Sequence, residues 1–430
     1  MSDAQPIITA LAAGLSLLFL GLSHRANRRR RLVKALPTSQ VHGVFIGLSE
    51  LKGTAETEAP FSTRLSKRPC VLYSWKVSEH WRRTVHENYK DAQGRSQTRT
   101  RVESGSTVVA SGGESAPFYL RDESGVILVR PEGAEVKSST LFAETCTPLD
   151  SLYYKKGPAG AIPNSTFTRT FYETGIVLHS RIFLVGQARE RQDVVAPEIA
   201  SAEGVPMFLI TVETEEQVVR GYGNSLHVWA ALGLIAAGGA AWLGWEYWPT
   251  VFAAAGLYLT LWLCTWIWMF YNSLVDTRNR VRQGWSQIDV QLKRRHDLIP
   301  NLVSVVEELR GHERETQESL AAMRNQLQAS PKGERGPDFQ GLVTTVIGIA
   351  EAYPELKSAT AFLDLQRQLV ETEQRIALAR AYYNDIATAY NTRLEVMPEA
   401  IIAKLRGFRL VNLLESSGFE RATVDVHLAD

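Results

Sequence analysis

WSQIDVQLKRRHDLIPNLVSVV, residues 285–306, carries the reading of this chain. Together with its flanks it keeps one side apolar: Val281, Trp285, Ile288, Leu292, Ile299, Leu302, Val306 and Leu309 recur at steps of four and three. Arg295 is the one residue out of character, standing where the stripe calls for an apolar side chain. A narrow seam of this kind predicts a helix packed against other helices. The stretch begins just past an apolar run of membrane length. A rod rising from a membrane anchor is therefore expected, rather than a soluble enzyme.

Working outward, three segments have the composition of bilayer spans. Residues 226–245 and 251–271 are full length, and residues 7–22 lie near the lower limit of about 17 residues. The EYWPT link at 246–250 holds a proline and suits a tight turn. Trp242, Trp245, Tyr247 and Trp248 cluster there, as aromatic side chains do at a membrane–water boundary. The first apolar run is followed, not preceded, by its cations: Arg25, Arg28, Arg29, Arg30, Arg31 and Lys34. A cleaved signal peptide has the reverse order, so the run reads as an anchor with its basic end in the cytoplasm. These six cations are expected to set topology and to face anionic lipid. Nucleic acid is not expected, because no aromatic residues are interleaved with the arginines. The basic residues after Tyr271, Arg278 to Arg295, return to the same side. Both soluble parts should then lie on the cytoplasmic face of a bacterial inner membrane. Lysines and arginines number 47 against 46 acidic residues, so no global field argues for a polyanionic partner.

Between the first two spans the pattern is β-like. Residues 71–77, 117–131, 181–186 and 207–212 read as strands, with Asp122 to Gly125 supplying a turn inside the second. The polar tract 88–101 reads as an exposed hairpin or mobile loop, and 157–164 as a further loop. Three pieces, RPCVLYSWKV (68–77), PFYLRDESGVILVRPEGAEV (117–136) and IFLVGQARE (182–190), resemble the GIDE domain found beside the RING of a mitochondrial ubiquitin ligase. In that family the domain also lies between two spans. Its ligase activity belongs to the RING, and Cys70, Cys146 and Cys264 are too few and too scattered to build one.

Beyond Tyr271 the period becomes 3.5. Phe339, Leu342, Val346, Ile349 and Tyr353 form one stripe. Phe362, Leu365, Leu369, Thr372, Ile376, Ala379, Tyr383, Ile386 and Tyr390 form another. Ile401, Leu405 and Phe408 follow Pro398, which suits a first helical turn. The first of four helices, from Asn272 to about Gln328, would be about 80 Å long, with Pro300 as its weak point. Short links and narrow seams favour an antiparallel bundle. YNSLVDTRNRVRQGWSQIDVQLKRRHDLIPNLV (271–303), AEAYPELK (350–357) and ETEQRIALARAYYNDIATAYNT (371–392) resemble the LemA family in order and spacing. That resemblance implies a membrane-anchored antiparallel four-helix domain without established catalytic residues. The usual member has one N-terminal span and no β domain, so this chain adds both.

The expected architecture is thus a multi-domain membrane protein. An anchor and basic stop (1–36) precede a mostly-β GIDE-like domain (37–222), a transmembrane helical hairpin (225–271) and a LemA-like four-helix region (272–430). Polar residues near the seams, Arg295, Glu351, Glu373, Arg380, Asn384 and Asn391, form a candidate interior cluster. It reads either as a buried network that fixes helix register or as a ligand or proton site inside the bundle. Bundle metal sites use Glu-x-x-His, which these helices lack. His42, His80, His86 and His179 have no ligand spacing, and Asp122–Glu123 lie in a turn where adjacent side chains point apart. No GxSxG, P-loop, strand-linked GxGxxG or HExxH is found. No catalytic residue, metal or cofactor is expected. The spans hold almost no ionisable residue, which argues against a channel. The expected function is a non-catalytic, self-assembling membrane scaffold that contacts lipid, copies of itself and protein partners. The alternative is a β domain that binds or modifies a lipid or protein.

Overall fold

The computed structural model describes residues 5–90, 96–191, 196–202, 204–245, 248–309 and 360–414. The chain divides into two compact units, Thr38–Val218 and Met1–Pro37 with Val219–Asp430.

The first unit is mostly β. Its strands are β1 (Thr38–Ser39), β2 (Gly47–Glu56), β3 (Phe61–Ser62), β4 (Pro69–Lys90), β5 (Ser96–Ser115), β6 (Phe118–Arg121), β7 (Val126–Val129), β8 (Glu135–Lys137), β9 (Ser139–Cys146), β10 (Ser165–Val177), β11 (Arg181–Glu190), β12 (Pro197–Ala200) and β13 (Leu209–Thr211). In the first sheet, β2, β6, β7, β12 and β11 follow one another, and β11 pairs back onto β2. This closes a small barrel and removes the open edges that an isolated sheet would present. Leu51, Phe118, Leu120, Ile127, Val129, Leu184 and Ile199 fill its core. The ring is tight where β2 passes from β11 to β6. A Cβ on Gly53 would lie 2.3 Å from the Arg121 carbonyl oxygen, so only glycine fits there.

The second sheet runs β3-β4-β10-β9, with β5 along the opposite edge of β4 from Leu72 to Lys90. Much of the polar 88–101 tract is therefore paired strand, Asn88 opposite Thr98 and Val85 opposite Arg101. Beyond Trp81, β4 pairs with β5 but no longer with β10. The inward positions of β10 are Arg169, Phe171, Glu173 and Gly175, so half of that face is charged. Arg169 is answered by Glu79, both with fully buried side chains, at 3.0 Å. The same guanidinium donates to the carbonyls of Tyr153, Pro158 and Gly160 and lies over the Tyr153 ring. It thereby fastens the 157–164 loop and a short helix, α2 (Ser151–Lys155), to the sheet. Burial pushes the Glu173 carboxyl up, but the Leu65 and Ser66 amides and the Ser66 hydroxyl donate to it, and the net shift is downward.

The second unit contains α1 (Gln5–Ala35), α3 (Glu215–Trp245), the 62-residue α4 (Trp248–Leu309), α5 (Thr360–Glu395) and α6 (Glu399–Leu405). Three of these, spanning Ile7–Ala35, Glu215–Trp242 and Pro249–Leu302, are long and apolar enough to cross a membrane. α1 runs antiparallel to α3: the Ser16 hydroxyl donates to the Gly233 carbonyl and that of Ser23 to Leu226, at 3.0 and 3.2 Å. Phe19 stacks on Trp229 between them. The Tyr258 hydroxyl of α4 donates to the Ala230 carbonyl, and Thr265 is hydrogen-bonded to His24. The basic end of α1, the start of α3 and Phe270 of α4 consequently share one end of this helical group.

α4 continues unbroken through Pro300 and would be about 93 Å long at 1.5 Å per residue. Its buried stripe, Leu274, Thr277, Val281, Ile288, Gln291, Arg295, Leu298 and Leu302, faces α5. There Phe362, Leu369, Ile376, Ala379, Tyr383, Ile386 and Tyr390 are buried at the same spacing. Trp285 meets Tyr383 edge-on at 5.7 Å. The hairpin is antiparallel, since Arg295 meets Glu373 while Thr277 meets Arg393. The stripe at 339–353 and the remainder of the expected four-helix bundle lie outside the described residues.

Candidate functional site

The densest polar cluster among the described helices sits where the apolar part of α4 ends. Arg393, near the end of α5, grips Glu399 of α6 through two parallel bonds of 2.9 Å each. Its remaining donors reach the Thr277 hydroxyl at 2.7 Å, the Ser273 hydroxyl at 2.9 Å and the Ser273 carbonyl at 3.4 Å. Arg31 of α1 donates to the same Glu399 oxygen at 3.2 Å and to Asn27 at 3.3 Å, with its guanidinium 3.4 Å from the Phe270 ring centre. Two planar guanidinium groups thus share one carboxylate, a geometry that lysine would not reproduce. The two exposed residues beside Arg31, Arg28 and Lys34, together with Arg25, add positive charge to this end of the helices.

The six expected topogenic cations accordingly split by face. Arg25, Arg28 and Lys34 are exposed, whereas Arg29, Arg30 and Arg31 are half-buried. Arg29 lies over Tyr222 of α3.

The seam residues occupy several levels. Arg295, 7% exposed, pairs with Glu373 at 3.3 Å across the α4–α5 seam. Arg380 is half-buried on α5, and Glu351 lies outside the described residues. Asn384 and Asn391 do different work. The Asn384 amide group donates to the Leu414 carbonyl and accepts from its backbone N–H, at 2.9 and 2.8 Å. Asn391 does the same to Val411, at 2.8 and 2.9 Å. Between them the Tyr383 hydroxyl donates to the Asn412 carbonyl at 3.1 Å. These residues clasp the segment after α6 against α5, running antiparallel to it.

Asn27, Ser273, Thr277, Arg393 and Glu399 were not singled out from sequence. Thr277 carried a signal, as a polar residue inside the α4 stripe. Arg393 and Glu399 carried none, because charges near helix ends are ordinary.

A second cluster joins the entry and exit of the β unit. Glu50 of β2 is fully buried, accepts the Thr38 hydroxyl at 2.7 Å and lies 3.4 Å from Lys52. Lys52 also reaches Glu215 in the first turn of α3 at 2.7 Å. Burial raises the Glu50 carboxyl to about 7; the Thr38 bond opposes this only in part, and Glu215 adds to the rise. Asp122 is committed to its turn, accepting from Ser124, Gly125 and the Val41 amide. His80 and His86 bond Thr170 and Thr100 across strand pairs. Among the described residues no three His, Cys, Asp or Glu side chains gather to hold a metal. Burial pushes the Cys70 thiol to about 11, away from a reactive thiolate.

Helices long and apolar enough to cross a membrane, with a β barrel-and-sheet unit between the first two and a helical hairpin that continues the third, give a membrane-associated protein with a β module and a helical module. Residues 284–428 match the LemA family model, and residues 86–244 match the GIDE model, described as E3 ubiquitin ligase. The chain thus carries a LemA-family region and a GIDE-type region, in the order that the motifs indicate. Protein LemA of Metamycoplasma hominis is 23% identical over 159 residues, covering 36% of this chain and 73% of its own length. Magnetosome protein MamQ 2 of Paramagnetospirillum magneticum is 31% identical over 71 residues, 16% of this chain and 26% of its own. Magnetosome protein MamQ of Magnetospirillum gryphiswaldense is 32% identical over 73 residues, 17% and 27% respectively. The chain spans about a quarter of the length of the MamQ proteins it matches.

Proposed function

We propose that this protein is a non-catalytic scaffold of the bacterial cytoplasmic membrane, with both soluble modules on the cytoplasmic face and copies of the chain associating through their helical regions. The observation that carries the reading is the Arg31–Glu399–Arg393 junction. It ties the basic end of the first apolar helix to the last described helix of the LemA region, so the positive-inside expectation for α1 applies to both. The polar groups in the described helices bind neighbouring elements rather than converge on a cleft, which suits a framework better than a reaction centre. Reporter fusions at Lys34 and at the C-terminus should both report the cytoplasm. Cross-linking in native membranes should yield dimers or larger species. Monomer alone, or reporters on opposite sides, would overturn the proposal.

A second reading follows from the description of the GIDE model, under which the β unit would modify or bind a protein or lipid. Three cysteines cannot make a two-zinc RING, so such an activity would need the β unit itself or a partner. Transfer of ubiquitin by purified full-length protein without an added RING protein would favour it.

A further inference from the structure

The short helix α6 is built inside out. The side chains it buries fully are small, Ala400 and Ala403 at 7% and 2% exposed, with Ile402 half-buried beside them. The outward ones are large and apolar. Ile401 and Leu405, one helical turn apart, are 51% and 79% exposed, and Val396 and Met397 in the turn that leads into the helix are 54% and 68% exposed. In water a helix buries the large residues and shows the small or polar ones. This helix also has a fixed place. Glu399 on its first turn is held by Arg31 and Arg393. Just beyond its last turn, Phe408 packs edge-on against Tyr271, and Arg406 lies over the same ring. Phe270 and Tyr271 close the apolar stretch of α4, and the first charges of that helix, Asp276 and Arg278, follow within two turns. α6 therefore sits at the level where the apolar span gives way to the charged rod. Lys404, Arg406 and Arg409, all exposed, border its apolar stripe.

We infer that α6 is an interfacial helix, with Met397, Ile401 and Leu405 seated among lipid acyl chains and Lys404, Arg406 and Arg409 at the phosphate level. A large apolar stripe flanked by cations is the pattern by which a helix lies in the headgroup–acyl boundary, about 5–10 Å deep. Long basic side chains reach from that depth back to the phosphates. The lipid surface is continuous with the apolar spans beside which the α1 junction holds α6. Contact with the bilayer then extends from the spans to the LemA region, whose hairpin would be braced against the membrane as well as rooted in it. The inference rests on the membrane reading of the apolar helices, and its test separates the two.

Cys264 is exposed on α4 within its apolar stretch, whereas Cys70 and Cys146 are buried. An environment-sensitive fluorophore on Cys264 of the full chain reports the span. The same fluorophore on Leu405→Cys or Ile401→Cys, each with Cys264→Ser, reports α6. The protein is reconstituted in vesicles of mixed zwitterionic and anionic phospholipid, with nitroxide quenchers near the headgroup end or the methyl end of the acyl chain. The Cys264 probe should be quenched by lipid nitroxides. The position 401 and 405 probes should be quenched most by the nitroxide near the headgroup and hardly by aqueous iodide. If Cys264 is quenched by lipid while 405 and 401 respond to iodide, the inference fails and the membrane reading stands. If 405 and 401 are shielded from both quenchers, a protein surface covers α6 and the inference fails as well. If the Cys264 probe escapes lipid quenching, the membrane reading falls and the interfacial helix with it.

Discussion

Glu50→Gln isolates the cost of burying one carboxyl where the β unit begins and ends. Glu50 has no accessible surface, and its Oε2 has no hydrogen-bond partner among the described residues. Its pKa is raised from 4.5 to about 7, chiefly by burial. An acid held neutral by the fold stabilises it fully below the unfolded value. That contribution is lost as the pH climbs from 4.5 to about 7, and above 7 the penalty is constant. That shift corresponds to about 3.5 kcal/mol as an upper bound, since one pKa unit is about 1.4 kcal/mol. The amide can still accept the Thr38 hydroxyl but gives up the attraction of Lys52, 3.4 Å away. The net gain above pH 7 should therefore fall short of the bound, at about 1–2 kcal/mol. For a unit of this size that is roughly 2–8 °C in unfolding temperature. Thermal unfolding of the full chain in detergent, followed between pH 5 and 8.5, checks it. Wild type should lose stability as pH rises through the window, and Glu50→Gln should run flatter and cross above it. Parallel curves for the two proteins, or a wild type most stable at pH 8, would refute the reasoning.

Asn384→Ala and Asn391→Ala each remove two bonds to the clasped backbone. Both side chains are half-exposed, so each loss should be about 1 kcal/mol locally, roughly a fivefold faster amide exchange at Val411 or Leu414 with little change in the α4–α5 seam. Uniform exchange across all three elements would contradict a local clasp. Arg169→Met strands Glu79 without surface access and should destabilise the second sheet by about 3–5 kcal/mol. Adding Glu79→Leu should recover part of that, and strictly additive losses in a double-mutant cycle of unfolding energies would argue against the pairing. Arg295→Leu should leave the fold intact, with a stability change within about 1 kcal/mol because Glu373 is partly exposed and can rehydrate. It should loosen helix register, seen as faster amide exchange along α4 and α5, and unchanged exchange would contradict that.

The seams were legible because their period is physical. Residues 274–302 of α4 and 362–394 of α5 bury themselves at the same alternation of three and four that their apolar residues show. The barrel strands β7 and β11 were legible as apolar runs, since consecutive residues of each are buried on both faces, and β6 was legible beside them through the turn at Asp122 to Gly125. β10 was not. Its inward side carries Arg169 and Glu173, and alternation of apolar and polar residues cannot reveal a face whose burial is compensated by Glu79 and the 65–66 amides. The same limit hid the length of the β4–β5 pairing: β5 is exposed along nearly all its length, and a strand held by backbone bonds and exposed polar pairs leaves little trace in apolar pattern.

Polar residues in the helices show where such reading stops. Arg295 stood out as an interruption of the stripe, but an interruption names no partner. Asn384 and Asn391 are seven residues apart, about 10.5 Å along a helix. Val411 and Leu414 are three apart, about 10 Å along an extended chain. The match lets two asparagines on one helical face pair with one extended segment, and it is visible only once that segment is known to run antiparallel to α5. Arg393 and Glu399 likewise acquire meaning only when α1 returns beside them and Arg31 joins their carboxylate. In each case the partner lies on a different element, beyond the reach of local pattern. Arg295, Glu373, Asn384 and Asn391, read from sequence as interior polar residues, each fasten one element to another.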